Sequence, residues 1–189
     1  MARSQGSSPW LYSAEAKQHT RKGACFELRG REVMGYQARF LAPFAVLGIE
    51  TDGAALTGLD FLPLDTPALE SQDTIAKQVC AQLQAYLADP SFVFDLPIAP
   101  KGTVFQARVW QALRKIPGGS TQSYGELAGL IHSAPRAVGQ ACGANRIPVI
   151  IPCHRVLAKN GLGGFMNSTD GDPMAIKRWL LQHERRQST

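Results

Sequence analysis

Alternation of apolar and polar residues marks the first third of the chain and predicts β-strands. Three runs carry the pattern, and they read MGYQARFL, FAVLGIET and AALTGLDFL. Their aromatic and β-branched residues fit a pleated, half-buried surface. Asp52 and Gly53 separate the second run from the third, and this pair is typical of a tight hairpin turn. We therefore expect strands between Ala24 and Leu62, with a hairpin at Asp52.

The period then changes to that of an α-helix. Four apolar residues recur at a spacing that places them on one helix face: Ile75, Val79, Leu83 and Leu87. Pro90 ends the pattern, because proline has no backbone N–H to donate. The strands and this helix predict a small N-terminal α+β domain over residues 21–95, preceded by a flexible polar tail at 1–20. The proline-bearing stretch SFVFDLPIAPKG after the helix predicts a linker.

A further helical pattern opens the second half of the chain, which we predict to be one domain over residues 101–186. Val104, Val109 and Leu113 fall along one stripe of this helix, and the glycines of PGGS close it. This domain is predicted to be largely helical.

Two short helices joined by a tight turn come next. Ser123 and Glu126 have the three-residue spacing of a capping box, which is specific for a helix start. Ser133 is the candidate N-cap of the second helix, and Pro135 lies in its first turn. Two such helices in succession predict a helix-turn-helix.

The last helical pattern reads PMAIKRWLLQHE. Asp172 is its candidate N-cap and Pro173 its first helical residue. The order of all these elements predicts a fold of the α/β (α+β) class, in which a small α+β domain precedes a helical domain.

Charge is distributed unevenly along the chain. From Lys101 onward 12 Lys and Arg residues stand against 4 Asp and Glu residues, a net of +8, whereas residues 1–100 hold 8 basic and 11 acidic residues, a net of −3. A basic half-chain is typical of a unit that binds a polyanion such as DNA, and the alternative is a solvated basic surface with no partner. No apolar run approaches the roughly 20 residues that span a membrane, and no signal-peptide core is found, so we expect a cytoplasmic protein with no membrane partner.

The second helix of the predicted helix-turn-helix is thin. Arg136 is its one long cation, and most of its other positions hold small residues: Ala134, Ala137, Gly139, Ala141, Gly143 and Ala144. Helices that read base edges in the major groove usually present Arg, Asn or Gln there. A thin helix suits a narrow space and backbone contact, with Arg136 inserted among the bases. Close packing of this helix on a neighbouring element is the alternative.

Cysteine spacing predicts reduced thiols. Cys25, Cys80, Cys142 and Cys153 are far apart in sequence and form no C-x-x-C pair. This spacing matches neither a disulfide framework nor a zinc finger. His19 with the first two cysteines gives no ligand set, so we predict no metal.

Cys153 stands in a segment that could present a nucleophile. The run IPVIIPC reads as a buried strand whose prolines stiffen the backbone. His154 and Arg155 follow, and nearby positive charge favours a thiolate. Proton transfer between sequence neighbours is geometrically awkward, so we expect a bridging water, with Glu184 as the candidate acceptor that orients the histidine. A buried structural cysteine is the alternative.

Three blocks in this order, RAVGQACGAN, IPCHRV and WLLQHE, resemble the O6-alkylguanine-DNA alkyltransferases. The resemblance extends from about Phe105 to Glu184. It implies irreversible transfer of an alkyl group from O6-alkylguanine, and from O4-alkylthymine, in double-stranded DNA to the protein's own cysteine. It also implies base flipping, a single turnover and no cofactor. The family's architecture would be a ribonuclease-H-like N-terminal domain and a C-terminal domain with a winged-helix-like helix-turn-helix.

The resemblance implies catalytic roles for particular residues. Cys153 would be the alkyl acceptor. His154 and Glu184 would form the water-bridged relay that makes its thiolate. Asn145 would brace the turn and join this network, and Tyr124 would donate a hydrogen bond to the base ring as guanine leaves.

Binding roles follow in the same way. Arg136 would fill the gap left by the flipped nucleotide, and Cys142 would line one face of the base. The wall of the base pocket would be the loop of Gly163, Gly164, Phe165 and Met166. The DNA-binding surface would comprise Tyr124, Ser133, Ala134, Arg136, Ala137 and Gly139.

Two other functions compete with repair. One is a helix-turn-helix regulator or non-enzymatic relative that binds DNA and flips bases, but relatives of that kind lack the cysteine. The other is a thiol hydrolase that uses Cys153 and His132, for which the sequence offers no oxyanion hole. We expect a monomer in solution, and cooperative binding on DNA is left open.

Overall fold

The computed structural model describes residues 35–167 and 171–185. Within these residues the chain forms five α-helices, two small β-sheets and one short 3-10 helix. This mixture confirms the predicted α/β class. The expected tail at 1–20, and residues 21–34 of the expected first domain, lie outside the described residues.

The first sheet is an antiparallel meander in the order β1-β2-β3. Its strands are β1 (Ala38–Ala42), β2 (Ala45–Thr51) and β3 (Leu56–Leu62). The predicted hairpin joins β2 to β3, and there the Asp52 carboxylate accepts hydrogen bonds from the backbone N–H groups of Ala54 and Ala55. The sequence prediction of strands with a turn at Asp52 is confirmed for the described part of this region.

Helix α1 (Thr74–Ala88) packs against the meander. It begins where the Asp73 side chain accepts from the N–H of Ala76, 2.7 Å away. Two of the four predicted core residues, Val79 and Leu83, are buried. Tyr86 is buried as well, whereas Leu87, which the spacing favoured, is only half-buried.

The stretch predicted as a linker lies along the outer edge of β3. Leu56 donates its N–H to Pro97 O at 2.9 Å and accepts from Ala99 N at 2.8 Å. Further along the same strand, Leu59 N–H donates to Arg146 O at 2.8 Å, which ties the meander to the segment before Cys153. The division into domains at residues 95–101 stays a prediction.

Helix α2 (Val104–Leu113) corrects one expected core position. Val109 and Leu113 are fully buried, but Val104 is 90% exposed. The reason is angular, because five residues turn a helix by about 500°, which leaves Val104 on another face. Trp110 takes its place in the core and donates its indole N–H to Ala141 O at 2.9 Å.

Helices α3 (Tyr124–Leu130) and α4 (Pro135–Gly143) pack on each other across a short turn, as the helix-turn-helix prediction requires. The capping box at the start of α3 is confirmed in both directions. The N-cap predicted for α4 is wrong by one residue: Ala134, not Ser133, caps it, with no side-chain hydrogen bond. Proline at the first helical position sets this boundary, because its fixed φ suits the first turn.

The run before Cys153 is buried, as expected, but it is not a strand. Residues 147–151 form a turn in which Ile151 N–H donates to Ile147 O at 2.9 Å. Val149 has a φ of 73°, a conformation that no strand residue adopts. A 3-10 helix over Cys153–Arg155 follows directly.

A second, two-stranded sheet joins the segments on either side of the helix-turn-helix. Strand β4 (Gln122–Ser123) leads into α3, and β5 (Val156–Leu157) leaves the 3-10 helix, and the two pair in parallel. This pairing fixes the start of α3 beside the Cys153 segment.

Helix α5 (Gly171–Arg185) completes the described chain. Because it begins at Gly171, Asp172 lies in its first turn and is not the N-cap that the sequence predicted. Its inner face buries Met174, Lys177, Leu180 and Glu184. None of the helices described here is long and apolar enough to cross a membrane.

Candidate active site

A cavity of about 390 Å³ lies where α3, α4, the 3-10 helix and the loop before α5 meet. Eight of the residues predicted for the site line it: Tyr124, Arg136, Gly139, Cys142, Cys153, Gly164, Phe165 and Met166. Gln140, Gly143 and Asn167 also line it and had not been predicted. The structure thus gathers around one cavity residues that are up to 43 positions apart in sequence.

Cys153 forms the floor of this cavity at the first position of the 3-10 helix, and its side chain is 3% exposed. Asn145 holds it in place, since the amide Nδ2 donates to both Cys153 Sγ at 3.2 Å and Ile151 O at 2.8 Å. The Asn145 Oδ1 accepts from Ile147 N–H at 3.0 Å. The predicted brace of the turn is therefore present as a set of three hydrogen bonds.

The pKa of the Cys153 thiol is raised to about 11, mainly by burial, while the hydrogen bond from Asn145 and the charge of Lys177 oppose the rise. The sequence predicted the opposite direction, from the neighbouring His154 and Arg155. Both of these side chains bond to Glu184 instead. In the protein without DNA, the Cys153 thiol is therefore protonated at neutral pH. A base must remove this proton before the sulfur can react.

Cys142 lies beside Cys153 in the cavity wall and is also buried. Burial, and next the charge of Cys153, raise the pKa of the Cys142 thiol to about 12. The Cys142 thiol is therefore protonated at neutral pH and forms an apolar part of the cavity wall.

Behind the cysteine, His154 and Glu184 form a buried pair. The His154 Nε2 lies 2.9 Å from Glu184 Oε1, and the side chains are 0% and 1% exposed. A carboxylate only accepts, so Nε2 carries the proton when the ring is neutral and Nδ1 is then an acceptor. That Nδ1 is buried and makes no hydrogen bond to any residue that the structure describes.

Three further donors hold the Glu184 carboxylate. Arg155 donates through Nε and Nη2 to both oxygens, at 2.9 to 3.3 Å. Tyr86 Oη donates to Oε1 at 2.9 Å, and Gly119 N–H donates to Oε2 at 3.3 Å. Arg155, Tyr86 and Gly119 were not predicted from the sequence.

These contacts fix the charge states of the pair. Burial by itself raises the pKa of Glu184, but the hydrogen bonds and charges of His154 and Arg155 outweigh it and hold the pKa well below its usual range. Burial lowers the pKa of His154 below its ordinary value of 6.5, although Glu184 opposes the shift. At neutral pH the site therefore holds a charged carboxylate and a neutral imidazole.

Tyr124 forms one side of the cavity at the first position of α3. Its hydroxyl donates to Gly164 O at 3.2 Å. A Cβ atom on Gly163 would lie 2.9 Å from the Tyr124 ring, so glycine permits the close approach. Burial raises the pKa of Tyr124 to about 12, so the hydroxyl stays a donor. Gly163 packs behind the ring and does not line the cavity.

Lys177 fixes the loop that closes the cavity. It is fully buried, and its Nζ donates to three carbonyls, Val156 O at 2.8 Å, Leu162 O at 2.7 Å and Gly164 O at 3.0 Å. Burial lowers the pKa of Lys177 to about 8. This lysine also went unpredicted, because a cation in an amphipathic helix is typical of a solvated face.

The end of the loop approaches the C-terminus of α4. Asn167 Nδ2 donates to Gly143 O at 3.0 Å, and Met166 and Asn167 have φ values of 51° and 61°. A Cβ atom on Gly143 would collide with the Asn167 side chain. Glycine at the end of α4 therefore makes room for the Asn167 side chain.

The residues predicted to contact DNA lie around α4. Arg136 and Ala134 are exposed, whereas Ser133, Ala137 and Gly139 are half-buried. Arg136 and Gly139 border the cavity, as does Tyr124 on α3, whereas Ser133, Ala134 and Ala137 do not. His132, the alternative base for a thiol hydrolase, is exposed in the turn between α3 and α4 and does not line the cavity.

Metal binding finds no support in the part of the chain that the structure describes, where no three His, Cys, Asp or Glu residues form a cluster that could hold an ion. Cys25 and His19, which were considered as zinc ligands, lie outside the described residues.

Known proteins match this chain over most of its length. Residues 104–186 match the family model for the DNA-binding domain of 6-O-methylguanine DNA methyltransferase. The methylated-DNA–protein-cysteine methyltransferase of Methanosarcina acetivorans is 37% identical over 157 residues, which cover 79% of this chain and 97% of that protein. The Haemophilus influenzae protein of the same name is 38% identical over 159 residues, covering 79% of this chain and 86% of its own length. The constitutive Bacillus subtilis protein is 47% identical over 107 residues, 62% of its length.

Solved structures are similar over most of the chain. The crystal structure of Mycobacterium tuberculosis O6-methylguanine methyltransferase is 36% identical, has a TM-score of 0.68, and covers 80% of this chain and 93% of its own. A structure of the Mycobacterium tuberculosis protein in complex with DNA is 38% identical, has a TM-score of 0.67, and covers 78% and 91%. With these matches across both halves, the chain belongs to the methylated-DNA–protein-cysteine methyltransferase family.

Proposed function

We propose that this protein repairs DNA by moving an alkyl group from the O6 atom of alkylated guanine to Cys153 Sγ. The observation that carries the proposal is the placement of a buried, braced thiol on the floor of a cavity, directly before the His154–Glu184 pair. The family match supports the reaction type.

The reaction balances as a displacement at carbon. The bond between O6 and the alkyl carbon breaks, an S–C bond forms at Cys153, and the guanine leaves with a proton in place of the alkyl group. The thiol proton passes to His154, and Tyr124 Oη donates a hydrogen bond to the base as negative charge develops on it. Thiolate is the soft nucleophile that this displacement needs.

His154 serves as the general base through Nδ1. The ring is neutral at pH 7, its Nε2–H is held by Glu184, and its Nδ1 has no protein partner among the described residues. A water between Nδ1 and Cys153 Sγ would carry the proton, since sequence neighbours do not align for direct transfer. Glu184 then stabilises the imidazolium that forms.

DNA reaches the site with the damaged base extruded from the stack. Guanine O6 faces the major groove, but Cys153 lies buried in the cavity, so a base must leave the stack to bring O6 to the thiol. The cavity lies on a half-chain of net charge +8, which favours binding to phosphates. Arg136 is exposed at the cavity rim, where it can take the place of the extruded nucleotide. Ser133, Ala134, Ala137 and Gly139 would contact the phosphate backbone beside it.

Several finer statements belong to the same proposal. The thioether has no displaceable leaving group under mild conditions, so each molecule acts once. O4-alkylthymine is proposed as a second substrate. The ribonuclease-H-like and winged-helix-like descriptions, the two domains, the monomeric state and the cytoplasmic location stay predictions.

Intact mass spectrometry tests the proposal. After incubation with an oligonucleotide duplex that contains O6-methylguanine, we expect the protein to gain one methyl group, mapped to the peptide containing Cys153, with activity ending at one equivalent. A label on Cys142, or several turnovers per molecule, would contradict it. Cys153→Ala provides the matched control, and it should gain no mass.

A further inference from the structure

We propose that Tyr86, on α1, is a positioning residue for the proton relay, and that it acts by holding Glu184 against His154. The inference rests on the proposed function for the reaction, but it concerns how the Cys153 thiol is activated. It assigns part of the active site to the N-terminal half of the chain, 98 positions away in sequence from Glu184.

The contact itself is direct and buried. Tyr86 Oη donates to Glu184 Oε1 at 2.9 Å, which is the same oxygen that lies 2.9 Å from His154 Nε2. Tyr86 and Glu184 are each 1% exposed, so no solvent replaces the bond if it is removed. Burial, and then the charge of Glu184, raise the pKa of Tyr86, so the hydroxyl keeps its proton and remains a donor.

The Tyr86 hydroxyl helps to hold Glu184 beside His154, although Arg155 also binds the carboxylate. Arg155 donates to both Glu184 oxygens and is itself anchored by a hydrogen bond to Ile116 O, so it competes with His154 for the carboxylate. Oε1, which Arg155 Nη2 also reaches, accepts from Tyr86 Oη and lies 2.9 Å from His154 Nε2. Without the tyrosine hydroxyl, Oε1 keeps only the neutral imidazole donor beside the bidentate arginine, while Gly119 N–H stays on Oε2 at 3.3 Å.

The tyrosine is itself rigidly held. His183 packs edge-on against its ring at a centroid distance of 5.2 Å, and His183 Nε2 lies 3.0 Å from Tyr86 O. Phe94 contacts the ring at 5.4 Å. A side chain fixed on three sides can place a hydroxyl within the tolerance that a relay requires.

The N-terminal half also supports the other end of the site. Leu59 N–H, on the outer edge of β3, donates to Arg146 O, the residue after Asn145. Asn145 in turn bonds to Cys153 Sγ. The meander and α1 therefore brace both the nucleophile and the carboxylate, which gives this half a part in the chemistry without contact to the substrate.

The test compares Tyr86→Phe with Tyr36→Phe. Each change removes one tyrosine hydroxyl that donates to a carboxylate at 2.9 Å, since Tyr36 Oη bonds to Asp60. Two rates are measured against pH: single-turnover methyl transfer from duplex DNA, and modification of the Cys153 peptide by iodoacetamide. We expect Tyr86→Phe to slow both at pH 7 by about tenfold, the scale of one hydrogen bond to a charged group, and the gap to close as pH approaches the thiol pKa. Tyr36→Phe should match the wild type.

The same Tyr86→Phe change in a His154→Gln variant tests whether Tyr86 acts through the relay or only stabilises the fold. In His154→Gln the relay is absent but the Glu184–Arg155 pair remains, so adding Tyr86→Phe should slow neither rate further. Equal slowing in both backgrounds, or wild-type pH profiles in Tyr86→Phe, would overturn the inference. All rates are measured well below the melting temperature of the least stable variant, so that a loss of folded protein is not mistaken for a loss of thiol activation. If iodoacetamide alkylates Cys153 in the wild type but no methyl group is transferred from DNA, the proposed function fails. The rates of alkylation by iodoacetamide still decide the role of Tyr86 in that case.

Discussion

Burial acts to raise the pKa of both Cys153 and Glu184, but only at Glu184 do the surrounding contacts outweigh it. At Cys153 it raises the thiol pKa to about 11, which disfavours the reactive thiolate. At Glu184 the donors around the carboxylate outweigh burial and keep it charged. His154 lies between them with a lowered pKa, so it is neutral at pH 7 and free to accept a proton. Burial of the site thus makes a base necessary for Cys153 and also keeps the imidazole of His154 neutral, so that it can serve as that base.

The first prediction concerns the pH dependence of methyl transfer in the wild type and Glu184→Gln. Because the pKa of His154 lies below 6.5, the wild-type rate should fall only as pH drops below that value and the ring becomes charged. Glu184→Gln should be slower at pH 7, by roughly tenfold or more, since a neutral amide stabilises the imidazolium less well. The gap should narrow toward pH 11, where the thiol ionises unaided.

Single-turnover rates between pH 5 and 10 provide the check, with DNA affinity measured in parallel. Glu184→Gln also leaves the buried Arg155 without its ion-pair partner, which should lower the free energy of unfolding by about 3 kcal/mol. Superimposable rate profiles with unchanged DNA affinity would make Glu184 a structural residue only.

The sequence predicted much of this site because its chemistry is local to recognisable blocks. Asn145, Cys153 and His154 lie within ten positions, and the structure joins the first two by a hydrogen bond. Tyr86 could not be found in the same way. In the sequence it lies one position before the expected apolar residue Leu87, and a tyrosine there reads as core. Lys177 was hidden likewise, because sequence periodicity does not show that three carbonyls converge on it.

At the scale of elements, periodic segments were predicted well and aperiodic ones were not. The strands, α1 and the capping box of α3 follow from alternation, helical spacing and one local signal. The run IPVIIPC was wrongly predicted as a strand, since its composition is that of a buried strand. Its shape is set instead by Pro148 and Pro152 and by the left-handed Val149, and β3 contributes a hydrogen bond to Arg146 just before it.

The second prediction concerns the contact between α4 and the loop. Gly143→Ala should add helix propensity worth about 1 kcal/mol but displace Asn167 and break its hydrogen bond to residue 143, so the net change in unfolding free energy should be near zero. Because Asn167 lines the cavity, methyl transfer should slow by a few-fold.

Gly129→Ala is the matched control. It lies in α3, and a Cβ atom there would meet nothing within 4 Å, so it should stabilise by about 0.5–1 kcal/mol without changing the rate. Urea denaturation and single-turnover transfer measure the two effects. An equal gain in stability for both variants would mean that the Asn167 contact contributes nothing.

At the scale of the whole molecule, the two halves of the chain differ in net charge and in their part in the site. The half from residue 101 carries the net +8 and the cavity, whereas residues 1–100 carry a net of −3, and among their described residues Leu59 and Tyr86 bond to Arg146 and Glu184. The acidic half would be repelled by phosphate, so DNA is expected on the face that α4 presents. The charge split was readable from the sequence, but these two contacts span 87 and 98 positions and have no local signature.

The last prediction separates DNA binding from base extrusion. Arg136→Ala and Arg178→Ala each remove one exposed cation from the basic half, so both should weaken duplex binding slightly and to a similar degree. Only Arg136 lies at the cavity rim, where it can fill the gap in the duplex. Transfer from duplex DNA should therefore slow by roughly 30-fold in Arg136→Ala, which corresponds to about 2 kcal/mol of lost support for the unstacked state, and should hardly change in Arg178→Ala. Reaction with free O6-benzylguanine needs no unstacking and should stay at the wild-type rate in both variants. The ratio of the two rates, measured at saturating DNA, is the decisive quantity: if Arg136→Ala slows both substrates equally, Arg136 shapes the cavity and does not assist extrusion.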